Sequence, residues 1–227
     1  MSLMDILNSL KLPWYQFGFH VLTPQYARPG LASFRSQAIT FMSSERFYTF
    51  AAGAAGQWRI LKSDPVVGPS LPPAARLNVA QGKLQSNEQV RWILHGVTSN
   101  VRYTSTAEKQ AMEARQASLG REEATLAALI PIRKNPDWWS LPQEERRRIF
   151  EESSHHIQTG LRYLPAIARR LHHCRDLGED EPFDFLTWFD YAPSDSDAFE
   201  ELVANLRSTE EWQYVDKEVD VRLTREL

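Results

Sequence analysis

The run Ala124-Thr-Leu-Ala-Ala-Leu-Ile-Pro-Ile132 limits the fold more than any other stretch of the chain. It is apolar almost throughout and stops abruptly at Arg133 and Lys134. It falls well short of the roughly 18 to 20 apolar residues needed to cross a bilayer, and no other stretch reaches that length. Its pattern suits a strand buried on both faces. The rest of the chain must then cover two faces of one sheet.

The flanking sequence supplies strands and helices in alternation. Residues 46–52, 57–62 and 90–97 read as strands, rich in bulky and β-branched side chains. Ser105–Ser118 is helical in composition, with Gly120 as its natural stop. A further helix is expected to open at Ser140, with Pro142 in its first turn and Gln143 completing an S-x-x-Q capping box. It runs to about His173, with Gly160 and Pro165 as interruptions. Phe183–Tyr191 reads as a strand, and Trp212–Thr224 as a closing strand. Between them Asp195–Arg207 is a short amphipathic helix with Phe199, Leu202, Val203 and Leu206 on one face.

The economical architecture for this order is α+β. Two ferredoxin-like halves, residues 42–120 and 121–227, join their sheets into a dimeric α/β-barrel-type fold, the N-terminal half reduced. Residues 1–41 lack a regular pattern and are set apart as an N-terminal extension.

Composition removes several functions. There are 26 Lys and Arg against 29 Asp and Glu, a formal net charge of −3. Neither a basic surface for nucleic acid nor a basic arm for a membrane is expected. The single cysteine, Cys174, rules out an intrachain disulfide, a Cys-x-x-Cys-His attachment of heme and a thiolate-rich zinc site. It reads as a buried or passive thiol, and any metal must be held by His or carboxylate or arrive inside a cofactor. Met1–Lys11 has neither a basic start nor a long apolar run, so no secretory signal is read and a cytoplasmic location is expected.

Four of the six histidines form two adjacent pairs, His155–His156 and His172–His173. Neighbours on a helix point about 100° apart, so the pairs are a weak signal for a dinuclear metal site. Taken alone they read as helix-surface or partly buried histidines. By the same measure Glu210 is a solvated residue past a helix end, Arg169 a surface arginine beside Arg170, and Trp138 and Trp139 core packing.

A longer pattern changes that weighting. His156-Ile-Gln-Thr-Gly160-Leu-Arg-Tyr163, continuing to Ile167 and Arg169, resembles the heme-binding segment of the chlorite dismutase family. That family pattern has a His, a Gly four residues on, a Tyr three beyond it, and a decisive residue thirteen after the His. The likeness continues through Ile130–Lys134, Asp137–Trp139, Phe183–Phe189 and Leu206–Trp212. It is good over residues 90–225, loose over 42–89 and absent from 1–41. Relatives often carry Arg directly after the Gly, where this chain has Leu161.

The resemblance implies one non-covalent heme b per chain and the decomposition of chlorite to chloride and molecular oxygen. It implies His156 as the proximal ligand and Glu210 as the carboxylate accepting its ring N–H. A carboxylate partner fixes the tautomer and gives the ring anionic character. It implies Arg169 as the distal arginine, whose permanent charge attracts an anion and holds transient hypochlorite beside the iron. Thr187 and Phe189, two apart on one strand, match distal-pocket positions. Lys134, Trp138 and Trp139 match the porphyrin edge, Lys134 being suited to a propionate, and Tyr103 is a further propionate contact. A compact homodimer is also implied.

Two other readings compete. A coproheme decarboxylase has an uncharged residue at the position of Arg169, so the arginine counts against it. A heme-binding or sensor protein without enzymatic activity is the other. Geometry adds a requirement. A straight helix would separate His156 from Arg169 by about 20 Å, at roughly 140° around the axis. For both to serve one heme, the chain must bend between them.

Overall fold

Among the described residues, eight strands supply the cover that the apolar run demands. They are β1 Phe47–Gly53, β2 Trp58–Val67, β3 Arg76–Gln81, β4 Val90–Val97, β5 Leu126–Lys134, β6 Ala168–His173, β7 Phe185–Tyr191 and β8 Val215–Arg225. In the order β1-β3-β2-β8-β5-β7-β6-β4 they close into a barrel, and every pairing is antiparallel. The computed structural model describes residues 45–84, 89–98, 102–178 and 181–226. The expectation for residues 1–41 lies outside them.

The alternation of side chains along each strand divides the molecule into an inner and an outer layer. Ala127 and Leu129 of β5 point into the barrel, where Phe50, Trp58, Leu77, Trp92, Leu94, Leu186, Trp188 and Val221 pack with them. Ala128, Ile130 and Ile132 point outward and pack with Phe189, Tyr191 and the apolar face of an outer helix. Of β5 only Arg133 is exposed, as a strand covered on both sides requires. On β8 the outward positions are charged. Glu218 and Asp220 receive Arg207, while Arg222 bridges Asp220 and Glu200. The inward Val219, Val221 and Leu223 are buried.

Five short helices complete the described chain: α1 Thr106–Arg115, α2 Pro136–Ser140, α3 Gln143–Arg147, α4 His156–Arg162 and α5 Ser196–Arg207. A π-helical turn, Arg148–Ser153, leads to α4, and a 3-10 turn, Glu210–Tyr214, leads to β8. Ser105 and Glu108 form a reciprocal capping box at the start of α1. The expected apolar face of α5 is present, with Phe199, Leu202, Val203 and Leu206 all buried. Cys174 is buried too, and burial pushes its thiol pKa up. Among the described residues no helix is long and apolar enough to cross a membrane.

The expected fold of two ferredoxin-like halves is overturned. One continuous barrel carries all eight strands, and β2–β8 and β4–β6 pairings join residues 42–120 directly to 121–227. Three local features hid this. Strand β2 runs on to Val67 despite its polar outer face, accommodating Pro65 at an irregularity in the ladder. Strand β3 went unread because its apolar positions are few. Residues 168–173 form a strand, not the end of a helix, because their alternate positions serve two environments.

The helix expected from Ser140 is also rearranged. Asn135 caps α2, its side-chain oxygen accepting from the Trp138 N–H at 3.0 Å, and Pro136 takes the first turn. Ser140 closes that helix, and α3 begins without a side-chain cap.

A close approach between two barrel strands generates a stability test. A Cβ at Gly96 of β4 would stand 2.5 Å from the Cβ of His172 on β6. Gly96→Ala is expected to cost about 1–3 kcal/mol through overpacking. The urea unfolding midpoint should fall with its slope unchanged.

Candidate active site

Outside the barrel, the face shared by β5, β7 and β6 forms one wall of a cavity of about 640 Å³. Ile130 and Leu171 flank Thr187 in register, while Arg169 stands opposite Phe189 and His173 opposite Phe185. All of these line the cavity, because they occupy alternate, outward positions on neighbouring strands. Val203 and Leu206 of α5, Met112 of α1, Phe150 of the π-helical turn and His156 complete much of the lining.

His156 opens α4, immediately after a reversal at His155, whose φ is 51°. Its ring stacks on Phe150 at 4.3 Å, the π-helical turn having placed Phe150 beneath it. Nδ1 lies 2.7 Å from Oε2 of Glu211. An ionised carboxylate only accepts, so Nδ1 donates, and a neutral ring keeps its lone pair on Nε2.

Glu211 is itself tied down. Its Oε1 receives Lys134 Nζ at 2.9 Å, its carbonyl receives the same ammonium at 3.0 Å, and its N–H donates to Ser154 Oγ at 3.0 Å. The Lys134 and Glu211 side chains are 4% and 6% exposed, and the ammonium lies over the Trp138 ring. Burial alone would raise the Glu211 pKa. The opposing pull of His156 and Lys134 instead holds it down to about 2.

Two sequence expectations change here. The carboxylate on His156 is Glu211, not Glu210. Successive residues of a 3-10 turn project about 120° apart, so one of the two acids faces inward and the other does not. Lys134 lines the cavity, but its ammonium is committed to Glu211 and does not stand free for a propionate. The sequence contained the signal, two adjacent acids, but not the phase of the turn.

Arg169 lies on β6, so the chain does bend between it and His156. The break is the 163–167 turn; Gly160 remains within α4. The Arg169 guanidinium lies against Gly160 so closely that a Cβ there would occupy its place. Its Nη2 lies 3.6 Å from Met112 Sδ, and its backbone carbonyl accepts from Gln116 Nε2 at 2.8 Å. Among the described residues Arg169 has no acidic partner. Burial lowers its pKa, but a guanidinium remains charged. The result is a half-buried, unneutralised cation beside an apolar wall.

Thr187, Phe189, Trp138 and Tyr103 line the same cavity as His156 and Arg169. Trp138 is buried, and its indole N–H has no partner among the described residues. Trp139 does not line the cavity. The Arg146 and Arg175 guanidiniums lie over its ring at 5.3 and 4.0 Å, and its indole N–H donates to Asp184 at 3.2 Å. Tyr103 has a φ of 59°, and its hydroxyl accepts from Arg146. Sequence reasoning missed Glu211, Met112, Gln116, Phe150 and His173. His173 is held neutral near pH 7, its pKa lowered to about 4 by burial and then by Arg102.

The buried carboxylate generates two predictions. Glu211→Gln leaves Lys134 enclosed without a counter-charge and should cost about 3–5 kcal/mol, whereas Glu210→Gln should change stability by less than about 0.5 kcal/mol. Urea unfolding of both variants checks this. The folded pKa of Glu211, about 2, lies below its ordinary 4.5. Its contribution is therefore complete above pH 4.5 and is lost as pH falls toward 2, and Glu211→Gln should lack that part of the acid dependence.

Comparison with known proteins identifies the family. Residues 71–227 match the family model described as chlorite dismutase. A chlorite dismutase of Ideonella dechloratans is 32% identical over 98 residues, a match that covers 43% of this chain and 32% of that relative. The chain's match thus spans about a third of the curated relative's length. A dimeric chlorite dismutase of Nitrobacter winogradskyi is 55% identical, with a TM-score of 0.73, covering 79% of this chain and 99% of that one. The chlorite dismutase of Candidatus Nitrospira defluvii in complex with imidazole shares the fold alone, at 20% identity and a TM-score of 0.56, covering 83% and 95% of the two chains. With the family model matched over more than half its length, the chain belongs to the chlorite dismutase family.

Proposed function

We propose that the protein binds one b-type heme non-covalently per chain and uses it to decompose chlorite to chloride and molecular oxygen. The observation that carries this reading is one cavity holding both an imidazole oriented by a buried carboxylate and a guanidinium with no acidic partner among the described residues.

The residues fit the cofactor. Among the described residues no group of three or more His, Cys, Asp or Glu could hold a bare metal ion. A heme needs only one protein ligand, and His156, with its Nε2 lone pair free, would supply it. The cavity volume lies within the usual range for small-molecule sites, and its walls are mainly apolar. Trp138, through its unpartnered N–H, and Tyr103 would hold the cofactor's carboxylates. When bound, the heme supplies a ferric centre able to take an oxygen atom from chlorite.

The chain's own residues do the rest. Glu211 holds the Nδ1 proton of His156, which makes the ring a stronger donor. Arg169 draws in chlorite, which is already an anion at neutral pH, so the site needs a cation and no general base. Loss of one oxygen atom from chlorite leaves hypochlorite. Arg169 retains that anion in the cavity until both oxygen atoms depart as dioxygen and chloride is released. We also propose a homodimer, since the Nitrobacter winogradskyi relative is dimeric and this chain covers 99% of it.

The test is oxygen evolution on adding chlorite to the heme-loaded protein. Heme binding without oxygen release would favour the non-enzymatic reading. Arg169→Ala should keep its Soret band and lose turnover on the order of 100-fold; full, durable activity would contradict the role given to Arg169. Gly160→Ala displaces only the end of a flexible side chain, so the fold should survive. Turnover in that variant should nevertheless drop on the order of 10–100-fold, because the guanidinium is misplaced.

A further inference from the structure

We propose that Met112 is an oxidation site for hypochlorite held by Arg169, and that the sulfoxide so formed latches that arginine. The proposal rests on the chlorite reading above for its source of hypochlorite. Its geometry does not depend on that reading.

Met112 projects from α1 into the cavity, and its Sδ lies 3.6 Å from Arg169 Nη2. It is the only thioether among the described residues, since Met1, Met4 and Met42 lie outside them. An anion bound to the guanidinium therefore stands next to a soft, readily oxidised sulfur. Cys174 does not compete, because burial keeps its thiol protonated. Aromatic rings lining the same cavity react with hypochlorite more slowly than a thioether does.

The step balances without a further reactant. The sulfur lone pair takes the oxygen atom of hypochlorite, the O–Cl bond breaks, and chloride leaves. Sulfur is oxidised by two electrons and chlorine is reduced from +1 to −1. The product carries an S=O acceptor on the atom that already touches Nη2. A weak sulfur contact becomes a charge-assisted N–H···O bond. With no acidic partner competing among the described residues, Arg169 is drawn toward α1 and away from incoming anions.

The first experiment gives reagent hypochlorite, at no more than one equivalent, to the heme-free full-length protein. The ratio of Met112 to Met42 sulfoxide is then read by peptide mass spectrometry. Arg169→Gln should lower that ratio about tenfold, the factor that corresponds to roughly 1.4 kcal/mol of lost anion attraction, while Arg169→Lys should retain most of it. Removing an unpaired, half-buried charge does not endanger the fold. An equal ratio in wild type and Arg169→Gln would overturn the proposal. Because this arm uses no chlorite, its failure is distinct from failure of the chlorite reading.

The second experiment follows heme-loaded protein through repeated chlorite turnover. Activity should decline in step with Met112 sulfoxide and partly return on treatment with methionine sulfoxide reductase. Met112→Leu should lack the recoverable part. If the reductase restores the thioether but no activity, the latch is refuted.

Discussion

The carboxylate of Glu211 is shared between His156 on one oxygen and Lys134 on the other, in a setting from which water is almost excluded. Three parts of the chain meet there. Lys134 comes from the end of β5, Ser154 and His156 come from either side of the reversal before α4, and Glu211 comes from the 3-10 turn before β8. Burying a charge completely is costly unless it is paired and its remaining hydrogen-bonding positions are filled, and for Glu211 both conditions are met. The lysine offsets the burial of the carboxylate, which is then left ionised to orient one imidazole. The site's geometry is thus fixed by the same interaction that makes its charges admissible.

The barrel makes this possible by giving each strand two occupations. Inward positions fill an apolar core, while the outward positions of β5, β6 and β7 face the cavity and those of β8 carry an ion network beneath α5. Two of the cations lining the cavity, Lys134 and Arg169, differ in consequence. Lys134 is neutralised within the protein and serves structure. Arg169 has no neutralising acid among the described residues, its guanidinium bedded on a glycine, and so its charge remains available to an anion.

Much of this was legible in the sequence. The unbroken apolar run of β5 announced a doubly covered strand, and the spacing of Phe199, Leu202, Val203 and Leu206 announced the buried face of α5. The family pattern brought His156 and Arg169 to one cavity, although neither residue stands out alone. Several features depended on tertiary context. Glu210 and Glu211 are equivalent in composition, and only the phase of a short turn separates them. Residues 168–173 read as the end of a helix because charged and polar residues fall on both faces of the strand, Arg169 and His173 toward the cavity and Arg170 and His172 on the opposite side. The closed barrel was missed because β3 and the far half of β2 are short of apolar residues and owe their strand structure to their neighbours.

The central proposal is that Glu211 gives the His156 ring anionic character, and in the heme-loaded protein the strength of an iron–imidazole bond would report on it directly. Resonance Raman spectra of the ferrous heme-loaded protein would measure the iron–histidine stretching frequency in wild type, Glu211→Gln and Glu210→Gln. The account predicts a lower frequency in Glu211→Gln and no shift in Glu210→Gln. An unchanged frequency in Glu211→Gln, or a shift confined to Glu210→Gln, would contradict it.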